Sequence, residues 1–277
     1  MQSSYLEQLF GLDGQVAVVT GGGGGLGREL AHALARAGAA VAVITRRAES
    51  CEPVAAEIRA AGGKALAVPC DVTDEAALHS AVATIQSQLG PIDILVNGAG
   101  GNSPKATTTP EQSFFDIPRE GWHAVVSLNL LGTLLPCQIV GRAMAERRRG
   151  RIINITSMAA DRPLTRVGGY GAAKAAVVNF TKWLAVHMAN EYDPAIRVNA
   201  ISPGFFLTEQ NRYLLTDRET GEMTARGRLI LDHTPAGRLG DAPDLAAALL
   251  WLTGAGAAFV TGAVIPVDGG FSAFSGV

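Results

Sequence analysis

The sequence predicts a doubly wound α/β fold, one domain with a parallel sheet of roughly seven strands and helices on both faces. Three observations point to it. Short β-branched runs alternate with alanine-rich helical stretches along most of the chain. Each strand candidate is nearly continuous in apolar character, as parallel strands covered on both faces must be. The first strand also runs straight into "TGGGGGLG" at 20 to 27 and a helical stretch, a turn that places a ligand at the carboxyl edge of such a sheet.

The elements follow in order. "VAVVT" (16 to 20) is the first strand, with a helix beginning near Gly25. "VAVIT" (41 to 45) precedes a helix near Glu49, and "ALAVPCDV" (65 to 72) precedes one near Asp74. "IDILVNGAG" (92 to 100) and "RIINITS" (151 to 157) lead toward helices near Glu120 and Tyr170. "IRVNAISPG" (196 to 204) and "AVIPVDGG" (263 to 270) complete the sheet, with a helix near Pro243 between them. "ERRRGR" (146 to 151) is expected at a helix C-terminus, its cations facing the dipole. Residues 205–240 break the rhythm with many polar groups and no clear strand. An insertion after a strand's carboxyl end is predicted to be a substrate lid.

Composition excludes several functions. A chain of 277 residues, 48% apolar and without a Pro/Ser-rich or charge-run linker, is expected to form a single domain, 1–277. A formal charge of −2 does not suit a protein built to neutralise nucleic-acid phosphates. Cys51, Cys70 and Cys137 are odd in number and lack metal-ligand spacing, so neither a metal nor a disulfide framework is expected, and the compartment is expected to be the cytoplasm. "MQSSYLEQLF" has no basic stretch followed by an apolar run, so no secretory signal is expected there. Leu245 to Val267 is uncharged and long enough to span a bilayer, but Gly254, Gly256, Gly262 and Pro266 suit a buried helix, turn and strand better.

The glycine run fits two spacings. Gly22, Gly24 and Gly27 satisfy G-x-G-x-x-G, while Thr20, Gly21, Gly25 and Gly27 satisfy T-G-x-x-x-G-x-G. A second constellation bears on the choice. "YGAAK" puts Tyr170 and Lys174 on one helical face, and Ser157 stands thirteen residues before Tyr170 at a strand's end. With T-G-x-x-x-G-x-G and Ser…Tyr-x-x-x-Lys at these positions, the sequence resembles the short-chain dehydrogenase/reductase family over essentially its whole length. The resemblance implies a Rossmann fold, an oxidoreductase acting on CH–OH groups with NAD(P), and the second glycine register. Gly22, Gly23 and Gly24 then fall at variable positions, where they let the backbone approach the phosphates.

The chemistry explains the residue types. Reducing a ketone needs a proton donor at the developing alkoxide, and a phenol with pKa near ~10 is a poor acid-base at neutral pH. A lysine ammonium one turn away is expected to lower that pKa. Tyr170 is therefore the expected proton donor and acceptor, Lys174 its tuner and a partner of the nicotinamide ribose, and Ser157 the residue that orients the substrate oxygen. By resemblance, Asn129 in "LNLLG" is the asparagine that holds a relay water. Other cofactor contacts carried over are Leu26, Asp71, Val72, Asn97, Ala99, Pro203, Gly204 and Thr208, with Gly98 replacing an asparagine of the family pattern. The apolar stripe Ala173, Val177, Phe180, Leu184 and Met188 is expected to pack on the sheet, and the family's habit of pairing this helix across subunits implies a homotetramer or homodimer.

At the end of the second strand, where a carboxylate would hold an adenosine 2′-hydroxyl, stand Thr45, Arg46 and Arg47. Two guanidinium groups favour NADP(H) over NAD(H), which stays possible through Glu49. For the substrate, "NGAGGNSPKATT", "ISPGFFLTEQNRYLL" and "VIPVDGGFSAFSGV" resemble the D-mannonate oxidoreductase or fructuronate reductase subgroup, although Ser103 replaces a histidine of its pattern. The implied reaction interconverts D-fructuronate and D-mannonate. Asn102, Lys105, Met158, Arg166, Gln210, Asn211 and Arg212 are the expected substrate contacts, because a sugar acid needs a cation for its carboxylate and polar partners for its alcohols. The alternatives are a reductase of another carbonyl, such as a polyol, gluconate, 3-oxoacyl thioester or xenobiotic ketone, and a nonenzymatic NADP(H) sensor.

Overall fold

The computed structural model of the chain describes residues 4–207, 212–217 and 220–276. Seven strands form one sheet: β1 (Val16–Thr20), β2 (Ala40–Thr45), β3 (Ala65–Pro69), β4 (Ile92–Asn97), β5 (Gly150–Ile155), β6 (Ile196–Pro203) and β7 (Val264–Val267). All pairs are parallel, in the order β3-β2-β1-β4-β5-β6-β7. The chain moves outward from β1 to β3, then returns to lay β4 on the other side of β1. That reversal opens a crevice at the carboxyl ends of β1 and β4.

The helices are α1 (Tyr5–Phe10), α2 (Gly25–Arg36), α3 (Ala48–Ala60), α4 (Glu75–Leu89), α5 (Arg119–Val126), α6 (Gly132–Glu146), α7 (Gly168–Glu191), α8 (Arg212–Leu215), α9 (Ala225–Asp232) and α10 (Ala242–Thr253). They cover both faces. Alternate strand residues such as Val19, Val43 and Val96 pack with Leu34 of α2, Ile58 of α3 and Leu249 of α10. Their neighbours Val18, Ile44 and Leu95 pack with Ile85 of α4, Met144 of α6 and Met188 of α7. Period-two side chains on strands with apolar character on both faces thus become two cores separated by one sheet.

Segment 245 to 267, uncharged and weighed above against a membrane span, folds as most of α10, a short turn and β7. The continuous helical stretch Arg119–Glu146 is long and apolar enough to cross a membrane by length and composition, and half of its most apolar window is buried inside the fold. The arginines after α6 behave as expected and do more. Arg147 Nε donates to the Ala143 carbonyl at 3.3 Å, and Nη1 reaches Asp93 at 3.0 Å. Asp93 in turn accepts from the Val16 amide at 3.1 Å, beside the register shift between β1 and β4.

Candidate active site

Two turns cross at the crevice. Gly21 leaves β1 with φ +68°, and a Cβ there would lie 2.7 Å from the Gly98 carbonyl oxygen; one on Gly98 would lie 2.8 Å from the Thr20 oxygen. Thr20 Oγ1 accepts from the Ala99 amide at 3.2 Å and ties the crossing together. Gly98 in place of an asparagine is therefore what the close approach admits. Gly25 opens α2 at φ +51°, and a Cβ on Gly27 would overlap the Gly21 carbonyl. These positions select the T-G-x-x-x-G-x-G register. The other three glycines, expected to let the backbone approach the phosphates, differ in their surroundings: a Cβ on Gly23 would overlap the Ser50 carbonyl, and one on Gly22 would stand 2.9 Å from the Val19 oxygen. Those two are small because neighbouring backbone is close. Gly24 alone is open and extended, at φ −171°, and as N-cap it supplies no side chain to the first-turn amides of α2.

A cleft of about 800 Å³ runs from this loop across the sheet edge. At one end it is lined by Thr45, Arg46, Arg47, Asp71 and Val72. Asp71 Oδ1 accepts from the amide and hydroxyl of Thr73, at 2.9 and 2.7 Å. Burial pushes its carboxyl upward, but the Thr73 bonds and the nearby Arg46 charge outweigh this and hold it below the usual carboxylate range. Cys70, which sequence reasoning did not place here, lines the same end, its thiol pushed up to about 11 by burial and by Asp71 and Asp74.

The other end is lined by Ser157, Tyr170, Lys174, Pro203 and Gly204, with Phe205 and Phe206, which sequence reasoning missed. Ser157 is the N-cap of a single 3₁₀ turn, Met158–Ala160, and its hydroxyl accepts from the Ala159 amide at 3.2 Å. Burial raises the Tyr170 phenol above its ordinary value, with Ser157 as a hydrogen-bond partner working against the rise. The expected lowering by Lys174 is not what the geometry gives. Lys174 is itself 4% exposed and pushed down to about 8 by burial, and its Nζ donates to the Ile155 carbonyl at 2.8 Å. It lies 5.8 Å from the centre of the Tyr170 ring.

Asn129 sits in a π-helical turn, Ser127–Leu131, between α5 and α6. Its Nδ2 donates to the Gly101 and Val125 carbonyls, at 2.7 and 2.9 Å, and its Oδ1 accepts from the Gly101 amide at 3.0 Å. The side chain therefore clamps the loop after β4, where a relay-water contact was expected. The π turn left no mark in the apolar sequence around it, and such irregularities gather at functional sites. A Cβ on Gly100 would fall 2.7 Å from Asn129 Oδ1 and 3.1 Å from Lys174 Nζ, so loop, asparagine and lysine meet at one point.

Residues 15–219 match the family model described as short chain dehydrogenase. The chain belongs to the short-chain dehydrogenase family. An oxidoreductase of Bacillus subtilis, UxuB, itself uncharacterized, is 46% identical over 275 residues, which span 96% of this chain and 98% of the relative. The crystal structure of a candidate D-mannonate oxidoreductase from Haemophilus influenzae with bound NAD is 43% identical, covers 98% of this chain and 100% of its own, and superposes with a TM-score of 0.91. Gluconate 5-dehydrogenase of Burkholderia cenocepacia, in complex with NADP and tartrate, is 34% identical, covers 98% and 100% of the two chains, and gives a TM-score of 0.87.

This short-chain dehydrogenase is thus an NAD(P)-dependent oxidoreductase acting on CH–OH groups. The residues present fit the cofactor: Gly21, Gly22, Gly23 and Gly27 leave no room for Cβ atoms, Gly24 leaves the N-terminus of α2 uncapped, and the cleft continues to Tyr170. Other expected contacts of the dehydrogenase need correction. Asn97 is 1% exposed and turned into the core, where its Nδ2 donates to Cys137 Sγ at 3.1 Å and Asn154 Oδ1 at 2.9 Å. It braces β4 against β5 and α6, and the cleft wall is formed by Gly98 and Ala99 after it. Met158 is 2% exposed, and its carbonyl accepts the amides of Asp161 and Arg162.

Thr208, Gln210 and Asn211 lie outside the described residues, while Arg212 begins α8. Asn102 Nδ2 is engaged within its own loop, donating to Thr107 Oγ1 at 2.7 Å. Lys105 is exposed on the turn Pro104–Ala106, and Arg166 is exposed in the left-handed region at φ +75°. The Arg166 carbonyl accepts from the Thr108 amide at 3.1 Å, which joins the loop after β4 to the approach to α7.

Proposed function

We propose that this dehydrogenase interconverts D-fructuronate and D-mannonate, with NADP(H) preferred over NAD(H). The observation that carries the sugar-acid reading is the charge around the catalytic end. Lys105, Arg162, Arg166 and Arg226 are exposed on segments joined to one another, and among the described residues none of them forms an ion pair. Arg226 Nη1 donates to Thr165 Oγ1 at 3.4 Å, bringing α9 onto the same loop. Guanidinium and ammonium groups without ion pairs on the loops that follow Ser157 and β4 suit a substrate bearing a carboxylate. The resemblance to a candidate D-mannonate oxidoreductase and to a gluconate 5-dehydrogenase supports the same class. Residues 205–240, with α8 and α9, are read as the substrate lid.

When bound, the nicotinamide supplies or accepts the hydride. Gly21, Gly25, Leu26 and Gly27 line the cleft where they would hold the pyrophosphate against α2, and Asp71 and Val72 would flank the adenine. Arg46 and Arg47, on the same cleft wall, would meet a 2′-phosphate. In reduction, Tyr170 donates its phenolic proton to the oxygen that becomes alkoxide, and in oxidation the phenolate takes it back. Burial keeps the phenol protonated at neutral pH, which favours the donor role. Ser157 orients the substrate oxygen and shares a hydrogen bond with Tyr170. Lys174, anchored on Ile155, would hold the cofactor ribose and contributes positive charge when protonated. Asn129 holds Gly101 and with it the loop that forms the floor beside Lys174.

A second copy of the chain completes the assembly. Leu184 and Met188 of α7 pack on the sheet, whereas Trp183 and Val186 face outward, 55% and 61% exposed. Phe180, Trp183 and His187 stack in sequence along α7 beside a groove of about 760 Å³ against α6. A stripe too wide for its own sheet fits pairing of α6 and α7 in a homodimer or homotetramer. The test of function is an NADPH- and NADH-oxidation screen over fructuronate, tagaturonate, 5-ketogluconate, fructose and an acetoacetyl thioester. Fastest turnover of fructuronate upholds the assignment; preference for fructose or the thioester removes it.

A further inference from the structure

We infer that Arg162 is the side chain that receives the substrate carboxylate, held in place for it by the C-terminal segment; this rests on the sugar-acid reading above. The 3₁₀ turn that follows Ser157 brings the Arg162 amide to within 2.9 Å of the Met158 carbonyl, so the residue leaves the chain close to the catalytic serine. Its Nε donates to the Ser272 carbonyl at 2.8 Å. That carbonyl is itself fixed. The Ser272 amide donates to Asp268 Oδ2 at 2.9 Å, and Phe271 packs edge-on against Phe205 with ring centres 5.3 Å apart. Phe205 lines the cleft alongside Ser157 and Tyr170. The loop after Ser157 and the tail therefore meet at one guanidinium, and the tail in turn packs on an aromatic wall of the cleft.

With Nε committed to the tail, the two terminal nitrogens present four N–H donors on the fork that matches a carboxylate. Among the described residues they have no hydrogen bond or ion pair. The carboxylates on the same two segments do not compete for it. Asp268 accepts from the Gly270 and Ser272 amides, and Asp161 makes no ion pair among the described residues. Lys105 and Arg166, the cations that sequence reasoning singled out, have no side-chain tether of this kind. A long cation already held by its Nε loses less freedom on gripping an anion than one swinging from a loop.

The test is steady-state kinetics with NADPH on the Arg162→Met and Arg162→Lys enzymes and on a chain ended at Phe271. Two anionic ketones, fructuronate and 5-ketogluconate, are compared with neutral fructose. Arg162→Met is expected to raise KM for the anions by about 30-fold or more, the usual consequence of removing one partner of a hydrogen-bonded charge pair. The Kd for NADPH and the KM for fructose should stay within about twofold. Arg162→Lys should lie between, and loss of the tail should reproduce most of the rise without adding to Arg162→Met. An unchanged ratio of anion to fructose KM in Arg162→Met, or in the lysine and shortened enzymes if that one does not fold, overturns the assignment while leaving the sugar-acid reading intact. A wild-type enzyme that turns over no anionic ketone overturns both.

Discussion

Lys174 Nζ is bonded to the Ile155 carbonyl at 2.8 Å and stands 5.8 Å from the centre of the Tyr170 ring. The lysine is thus anchored to the strand below and buried, and burial disfavours its ammonium form, pushing it from its ordinary 10.5 down to about 8. In the unfolded chain it returns to its ordinary value. Below about pH 8 both states are protonated and folding carries the full burial penalty; between about 8 and 10.5 the unfolded chain binds more protons, so folding gains stability as pH rises. Comparison with Lys174→Met isolates this. The wild type should gain on the variant by up to roughly 3 kcal/mol between pH 7 and 10, read by chemical denaturation. A pH-independent gap would show that Lys174 is not buried as a cation.

Tyr170→Phe should lower kcat by about three orders of magnitude or more while leaving Kd for NADPH within about twofold. Because the phenol is raised by burial, oxidation, which needs the phenolate, should accelerate as pH rises from 7 to 10. Reduction should instead decline above about pH 8, where Lys174 loses its proton. Initial rates in both directions over that range check the crossing.

Arg46 lies near enough to Asp71 to help hold its carboxyl down. Arg46→Ala should raise KM for NADPH by about tenfold or more and leave KM for NADH little changed. If both values rise equally, the arginine serves the adenosine as a whole and not the 2′-phosphate.

Trp183→Glu should shift a dimer or tetramer toward smaller species in light scattering, because a carboxylate at the centre of an apolar helix pair is not compensated. An unchanged molar mass would place the subunit contact elsewhere.

The glycine tract offers a structural test. Gly23→Ala should destabilise the protein by about 1–3 kcal/mol, since its Cβ would overlap the Ser50 carbonyl, a backbone atom that cannot swing aside. Gly24→Ala should cost little, because nothing lies within 4 Å and the backbone there is extended. Melting temperatures separate the two.

The sheet was legible because each strand announces itself: "VAVVT" and "IDILVN" are apolar on both faces and become β1 and β4 without remainder. Ser157, Tyr170 and Lys174 were legible because a helical turn and a strand end fix their meeting. What escaped depended on contacts between distant segments. Asn97 ends a strand at a cofactor turn, and only the arrival of Asn154 and Cys137 from 57 and 40 residues away shows that its amide points into the core. The bond from Arg162 to Ser272 spans 110 residues and joins two loops without periodicity. Asn129 was identified, but the π turn that aims its amide at Gly101 is a backbone irregularity that leucines and asparagine do not encode in their spacing.

Gly24 has a practical consequence. Around it every glycine is fixed by crowding or by a positive φ, so the loop tolerates few edits; Gly24 is hemmed in by neither. A long cationic side chain grafted there would project from the mouth of the loop with the core untouched. The mouth of the phosphate loop can therefore be altered at this one position without disturbing the fold beneath it.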